Sequence, residues 1–257
     1  MDIHVETAGR GPAVLWIHGY TMDSTLWHPL WDLLPGFRHL GIDLPGHGGS
    51  GAPSRDDTLP ALAGRIAEIA RAEQASRVVA LSFGSCVALQ FAAACPGLVS
   101  QLVVGAPTIA GAPPAAGVAD REMQLALLYR MAGRGPHMTK LWMTSPPDIF
   151  RGTEQRPELR EQLCQVIDRH SWAPLESGVM RSLAAHTHTD EALGRIGAAT
   201  LVCTGDQDMP VFTANASRLA AVIPYCTRLT VPQAGHLCLL ERPDVVAGPL
   251  RAHLGAG

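Results

Sequence analysis

The sequence predicts an α/β fold, a mostly parallel central sheet with helices on both faces, and three observations carry that prediction. Short apolar runs alternate with amphipathic stretches through the first hundred or so residues; the runs are apolar at almost every position; and the alternation stops after Ala106 and resumes at Ala199. Continuous apolar runs suit parallel strands, which are covered on both faces, whereas strands with one wet face alternate. Strands separated by helices at this spacing read as βαβ units.

Residues 12–17 (PAVLWI) form the first run and end at His18-Gly19. Residues 25–34 carry apolar side chains at helical spacing, with Pro29 suited to a first turn. The next strand spans 37–42 and closes in the turn-rich Asp43-Leu44-Pro45-Gly46-His47-Gly48-Gly49-Ser50. Asp56, Asp57 and Thr58 offer helix caps, and an amphipathic helix runs on to about residue 74. Strand 77–81, helix 84–95 and strand 99–105 follow. Between 107 and 188 there is no strand pattern, only helical segments at 120–132, 137–144, 157–169 and 175–185. A strand at 199–204, a helix at 212–222, a strand at 226–231 and a last helix at 239–254 complete the chain. The expected organisation is one core, residues 1–106 and 189–257, interrupted by a helical cap over residues 107–188.

Composition narrows the function. The 257 residues are 47% hydrophobic and 17% charged, enough for a sizeable core, and the formal net charge is -3. That balance offers no basic footprint for nucleic acid and none for an anionic membrane. No apolar stretch approaches the length of a membrane span. Lys140 is the only lysine, a skew that reads as coding bias rather than mechanism. The six cysteines form no C-x-x-C pair and several lie in apolar runs, so buried thiols in a reduced compartment are expected. Met1-Asp2-Ile3-His4-Val5-Glu6 is acidic and polar where an export signal needs a basic start, so a cytoplasmic location is expected.

The chemistry centres on Arg77-Val78-Val79-Ala80-Leu81-Ser82-Phe83-Gly84-Ser85. An apolar strand running through small-x-Ser-x-Gly into a helix forces the serine onto a sharp, strained turn. The positions two residues either side must be small because strand and helix backbones nearly touch, and Ala80 and Gly84 satisfy that. The helix N-terminus beyond favours negative charge, as acyl transfer requires. Ser82 is therefore the candidate nucleophile, and it needs a base and an orienting acid.

On these residues the sequence resembles the α/β-hydrolase family over nearly the whole chain, with Ala80 a departure from the usual G-x-S-x-G. The resemblance implies the order serine, acid, histidine along the chain. Gly235-His236, followed by Glu241 and Pro243, looks like the family's terminal histidine segment and makes His236 the base. In Thr204-Gly205-Asp206-Gln207-Asp208 two carboxylates compete: the resemblance to a G-x-x-D loop implies Asp208, while Asp206 suits a turn cap. The oxyanion hole would take the N–H of Phe83 and, by resemblance to the family's H-G-x loop, that of Tyr20. His18 would hold that loop, and the glycines around His47 would shape theirs. His186 and His188 read as a surface pair at a hinge rather than a metal site.

The resemblance implies acyl transfer through an acyl-enzyme, with no metal and no cofactor, on a carboxylic ester, thioester or lactone of a small, largely apolar molecule. Small capped carboxylesterases, pimeloyl-ester esterases among them, are the nearest in layout. The 44–50 loop also looks like that of the menaquinone-pathway lyase of the fold, so elimination, cyclisation or acyl transfer by the same triad is the alternative. Dehalogenases and epoxide hydrolases of the fold carry aspartate at the elbow and are excluded. Tyr129, Met138 and Trp142 are candidates to line a substrate pocket, or equally the cap's own packing.

Overall fold

The computed structural model describes residues 2–54, 57–177, 182–183 and 185–255. Its centre is a seven-stranded sheet in the order β1-β3-β2-β4-β5-β6-β7. The strands are β1 (Val5–Gly9), β2 (Ala13–Ile17), β3 (Arg38–Ile42), β4 (Arg77–Leu81), β5 (Gln101–Gly105), β6 (Ala199–Gly205) and β7 (Cys226–Val231). All neighbours are parallel except β1, which runs antiparallel to β3 at one edge. Every residue of β2 and of β5 is buried, as expected of strands covered on both faces.

Side chains alternate across the sheet and feed two cores. Leu15, Ile17, Val78, Ala80, Leu102 and Val104 pack with the helices Leu59–Ala72, Phe83–Ala94 and Pro210–Val222. Val14, Trp16, Val79, Leu81 and Val103 face the other way, toward the helices His28–Asp32 and Pro243–Gly255. On that second side Trp16 meets Trp27 and Trp31 and donates its Nε1–H to His39 Nδ1 at 3.1 Å.

The elements depart from the sequence reading or narrow it in several places, and the helix Asp190–Gly194 and the 3-10 segment Asp148–Gln155 were not expected. β1 is missing from that reading because an antiparallel edge strand with Glu6 and Thr7 in it makes no apolar run. The cap of the helix Leu59–Ala72 is Thr58, whose Oγ1 accepts from Ala61 N–H; Asp56 lies outside the described residues. The expected helix at 175–185 is described only as Pro174–Ser177, since residues 178–181 and 184 lie outside the described residues. The last helix is two, Cys238–Glu241 and Pro243–Gly255, because Pro243 cannot continue the first.

Among the described residues of 107–188 there is no strand, only the helices Val118–Ala132, Pro136–Trp142, Pro157–Arg169 and Pro174–Ser177 and a 3-10 segment Asp148–Gln155. This insertion lies over the carboxyl ends of the strands. Arg169 pairs with Asp23 at 3.0 Å, the Ser171 hydroxyl donates to Gly46 O, and Arg156 donates to Gln233 O and Glu241 O. Asp23, Gly46 and Gln233 sit in loops that leave the same end of the sheet, and Glu241 ends the short helix Cys238–Glu241 that follows. Among the described residues no helix is long and apolar enough to cross a membrane.

Leu15, fully buried at the middle of the sheet, reports on this core. Leu15→Ala is expected to lower the unfolding free energy by about 2–5 kcal/mol in urea titration. Leu127→Ala, at a half-exposed helix position, should change it by no more than about 0.5 kcal/mol.

Candidate active site

Ser82 stands between β4 and the helix Phe83–Ala94 with φ +53° and ψ -121°, a conformation that costs a non-glycine residue about 1–3 kcal/mol. The surroundings hold it there. Ser82 N–H donates to Gly105 O at 2.9 Å, and Ser85 N–H returns to Ser82 O at 2.9 Å. A Cβ on Gly84 would overlap the carbonyl oxygens of Ile17 and His18, so the helix comes this close to β2 only with glycine there. Ala80, fully buried, fits where the usual motif has glycine.

His236 reaches this serine from the loop between β7 and the helix Cys238–Glu241. Its Nε2 is 2.8 Å from Ser82 Oγ and its Nδ1 is 3.1 Å from Asp208 Oδ1. A carboxylate only accepts, so Nδ1 carries the proton and Nε2 is free to take one from the serine. The imidazole is buried, with the Phe212 ring at 4.1 Å. Asp208 Oδ1 also accepts from Met209 N–H at 2.7 Å. The competing carboxylate, Asp206, accepts from Ala234 N–H at 3.2 Å and so ties two loops together. A Cβ on Gly205 would overlap the carbonyls of Ala234 and Gly235, which lets the acid loop and the histidine loop lie in contact.

Glu241 fixes the histidine loop. Its carboxylate accepts from Gly235 N–H at 2.7 Å and from Leu237 N–H at 3.0 Å, the residues flanking His236. Burial pushes its carboxyl up, opposed by those two backbone bonds and by the Arg156 guanidinium. Sequence reasoning saw Glu241 only as part of a pattern; its spacing of five from a histidine beside glycine was the available signal.

The loop after β2 shows a second ordered arrangement. Leu44 N–H donates to His18 Nε2 at 3.0 Å, so His18 carries its proton on Nδ1 and gives it to Gly19 O at 2.7 Å. Met22 N–H reaches the same carbonyl at 3.2 Å. In a trans peptide this turns the N–H of Tyr20 away from that carbonyl. A Cβ on Gly19 would lie 3.3 Å from Ser82 Cβ, so this peptide adjoins the serine. Phe83 N–H opens the helix that follows Ser82.

Met138 is fully buried and Trp142 nearly so, both in the apolar cluster that the insertion shares with the sheet, and Tyr129 packs half-buried against it. His188 is buried, contrary to the expected surface pair, with Nδ1 accepting from Ala110 N–H at 3.2 Å. Among the described residues no group of three or more His, Cys, Asp or Glu is placed to hold a metal ion. All six cysteines are free thiols, with Cys86, Cys203 and Cys238 buried.

Six imidazoles are pushed below their ordinary range, each chiefly by burial, His253 among them. His47 lies well below its ordinary 6.5, with His170 and His18 adding to the effect. His170 is pushed down to about 3 and His188 to about 4. His18 is lowered against the pull of Asp43, and His39 is lowered too.

A sequence model of the alpha/beta hydrolase family matches residues 14–248. The pimeloyl-[acyl-carrier protein] methyl ester esterase of Xanthomonas oryzae pv. oryzae is 29% identical over 97% of each chain. That of Stenotrophomonas maltophilia (strain R551-3) is 30% identical over 99% of this chain and 97% of its own. Among solved structures, a thermophilic esterase from Thermogutta terrifontis superposes with a TM-score of 0.82 at 24% identity, covering 98% of this chain and 93% of that one. The enol-lactonase of Burkholderia xenovorans LB400 gives 0.79 at 20% identity, covering 98% and 96%.

Two outcomes follow from this geometry. Glu241→Gln leaves one flanking N–H facing an amide donor, so it should lower stability by about 1–3 kcal/mol and reduce turnover together, seen by melting and kinetics. A base whose folded pKa lies below its unfolded 6.5 takes up its proton more readily when unfolded. Stability present above 6.5 is thus lost as pH falls toward the folded values, by up to about 1.4 kcal/mol per pH unit per imidazole. Melting temperature should drop steadily from about pH 6.5 to about pH 4. A flat profile there would contradict neutral buried imidazoles.

Proposed function

Because this chain belongs to the α/β hydrolase family, we propose that it is a carboxylic ester hydrolase that works through an acyl-enzyme on Ser82. The observation that carries the reading is the unbroken line Ser82 Oγ, His236, Asp208, with its 2.8 Å and 3.1 Å contacts inside a buried site. His236 Nε2 takes the hydroxyl proton as Ser82 Oγ attacks the ester carbonyl, and Asp208 stabilises the imidazolium that forms. The oxyanion receives the N–H groups of Phe83 and Tyr20 at the N-terminal end of the helix Phe83–Ala94. Collapse breaks the bond to the alkoxy oxygen, which leaves with the proton from His236. Water, deprotonated by the same imidazole, then releases the acid and restores Ser82. Side chains, backbone amides and water suffice for every step.

Residues 107–188 serve as the cap, with Tyr129, Met138 and Trp142 as its candidate contacts to a small, largely apolar substrate. The similarity to esterases named for a pimeloyl-[acyl-carrier protein] methyl ester supports a methyl ester of an acyl chain as the first substrate class to assay. The same similarity favours hydrolysis over elimination or cyclisation.

Ser82→Ala should abolish labelling by a fluorophosphonate probe and cut hydrolysis of short-chain methyl and p-nitrophenyl esters by about a thousandfold or more. Asp208→Asn should lower kcat by about four orders of magnitude, whereas Asp206→Asn should cost less than about tenfold. Undiminished labelling of the Ser82→Ala chain would refute the assignment.

A further inference from the structure

The insertion reaches past its own packing to the loop that supplies Tyr20. Trp142 Nε1–H donates to Thr21 Oγ1 at 2.7 Å, and that hydroxyl donates onward to Tyr20 O at 2.6 Å. Thr21 N–H donates to His47 Nε2 at 3.1 Å, and His47 Nδ1–H is spent on Pro45 O. The peptide between Tyr20 and Thr21 is therefore gripped at both poles, at its carbonyl through Thr21 and Trp142 and at its N–H through His47. Thr21 sits at φ +62°, which a β-branched residue keeps only under such restraint. The preceding peptide, which bears Tyr20 N–H, is already held at its carbonyl by His18 and Met22.

The grip spans core and insertion. His47 belongs to the core, but His170 of the insertion lies on it with ring centres 4.6 Å apart. Tyr20 meets Trp142 edge-on at 5.8 Å and His170 at 5.8 Å. The groups facing His47 are His18, Tyr20 and His170, with Asp57 lining the same small apolar hollow. Asp43 and Asp23 act on His18, and Asp23 and Arg134 act on His170. No cation among these meets the His47 ring directly, and a neutral ring is what accepting from Thr21 N–H requires.

We infer that Trp142 is a positioning residue through which residues 107–188 steady the oxyanion hole, its N–H and the His47 acceptor together fixing the Tyr20–Thr21 peptide. Without the Trp142 N–H the Thr21 hydroxyl loses its donor and the Tyr20–Thr21 peptide keeps only the grip of His47, so Tyr20 N–H is aimed less firmly. This rests on the ester-hydrolase reading and assigns Trp142 a different task from lining the pocket.

The experiment compares Trp142→Phe, Thr21→Val and the double variant. Phenylalanine keeps an aromatic ring against Tyr20 and Phe150 without the N–H; valine keeps branching and shape without the hydroxyl. Two readouts are taken, ester kcat and KM, and the maximal rate of fluorophosphonate labelling at Ser82, which needs the hole but not the natural substrate. Each single variant should lose about tenfold or more in kcat and labelling rate with KM within about twofold, and the double should fall no further than the worse single. A rise in KM at unchanged kcat, multiplicative losses in the double, or wild-type rates would each overturn the inference. Melting curves accompany every variant; if Trp142→Phe does not fold, Thr21→Val decides by the same rate criterion. A wild-type chain that labels but turns over no ester would refute the ester reading alone, and the labelling rates would still judge Trp142.

Discussion

Everything at the site depends on one close approach, the start of the helix Phe83–Ala94 against the end of β2. Only a glycine at 84 lets the two backbones come together, since any side chain there meets the carbonyls of Ile17 and His18. That approach bends the chain at Ser82 into a left-handed conformation and raises its hydroxyl above the sheet. It also brings the Gly19 peptide that leaves β2 beside the serine, where a Cβ would lie 3.3 Å from Ser82 Cβ. Sheet order does the rest, because β2, β4, β5 and β6 are successive neighbours and their loops leave at one end.

The histidine loop is supported from a different direction. His236 is 154 positions from Ser82, and its placement relies on a buried carboxylate that takes the amides on both sides of it. A carboxylate serving two N–H groups is more stable ionised than burial alone would allow, and Arg156 adds to that. His236 is thus held by its own sequence neighbours, through a carboxylate five residues on, rather than by the Asp208 side chain it pairs with. Asp208 then fixes the ring's proton on Nδ1.

Much of this was legible in the sequence, for physical reasons. Strands buried on both faces leave continuous apolar runs, so β2, β4, β5 and β6 and the serine turn were readable, while β7, an edge strand, was read from the return of the strand–helix alternation. β1 was not, because it is a half-covered antiparallel edge strand that carries Glu6 and Thr7 and stands before the first strand–helix alternation. Asp208 lies three residues past β6 and was singled out over Asp206 only by resemblance, whereas Ser82, His236, Tyr20 and Phe83 each sit next to a glycine or at a strand end, where local pattern reports geometry. His47, Thr21 and Trp142 do not. Their bonds join positions 26 and 121 apart, and nothing local marks a threonine at positive φ or a tryptophan that donates across the insertion. His188 misled in the same way: an H-x-H spacing says nothing of which ring the chain buries.

The near-exclusive use of arginine finds one structural use at Arg156. Its Nε, NH1 and NH2 each donate to a different carbonyl, those of Glu241, Gly152 and Gln233. A planar fork with separated nitrogens spans three acceptors at once, whereas an ammonium is a single point. Gly152 lies in the insertion and the other two carbonyls bracket His236. The guanidinium acts as a rivet between residues 107–188 and the segment around His236, so codon drift from arginine to lysine, harmless at most surface sites, would at this position slacken that join while leaving the net charge untouched.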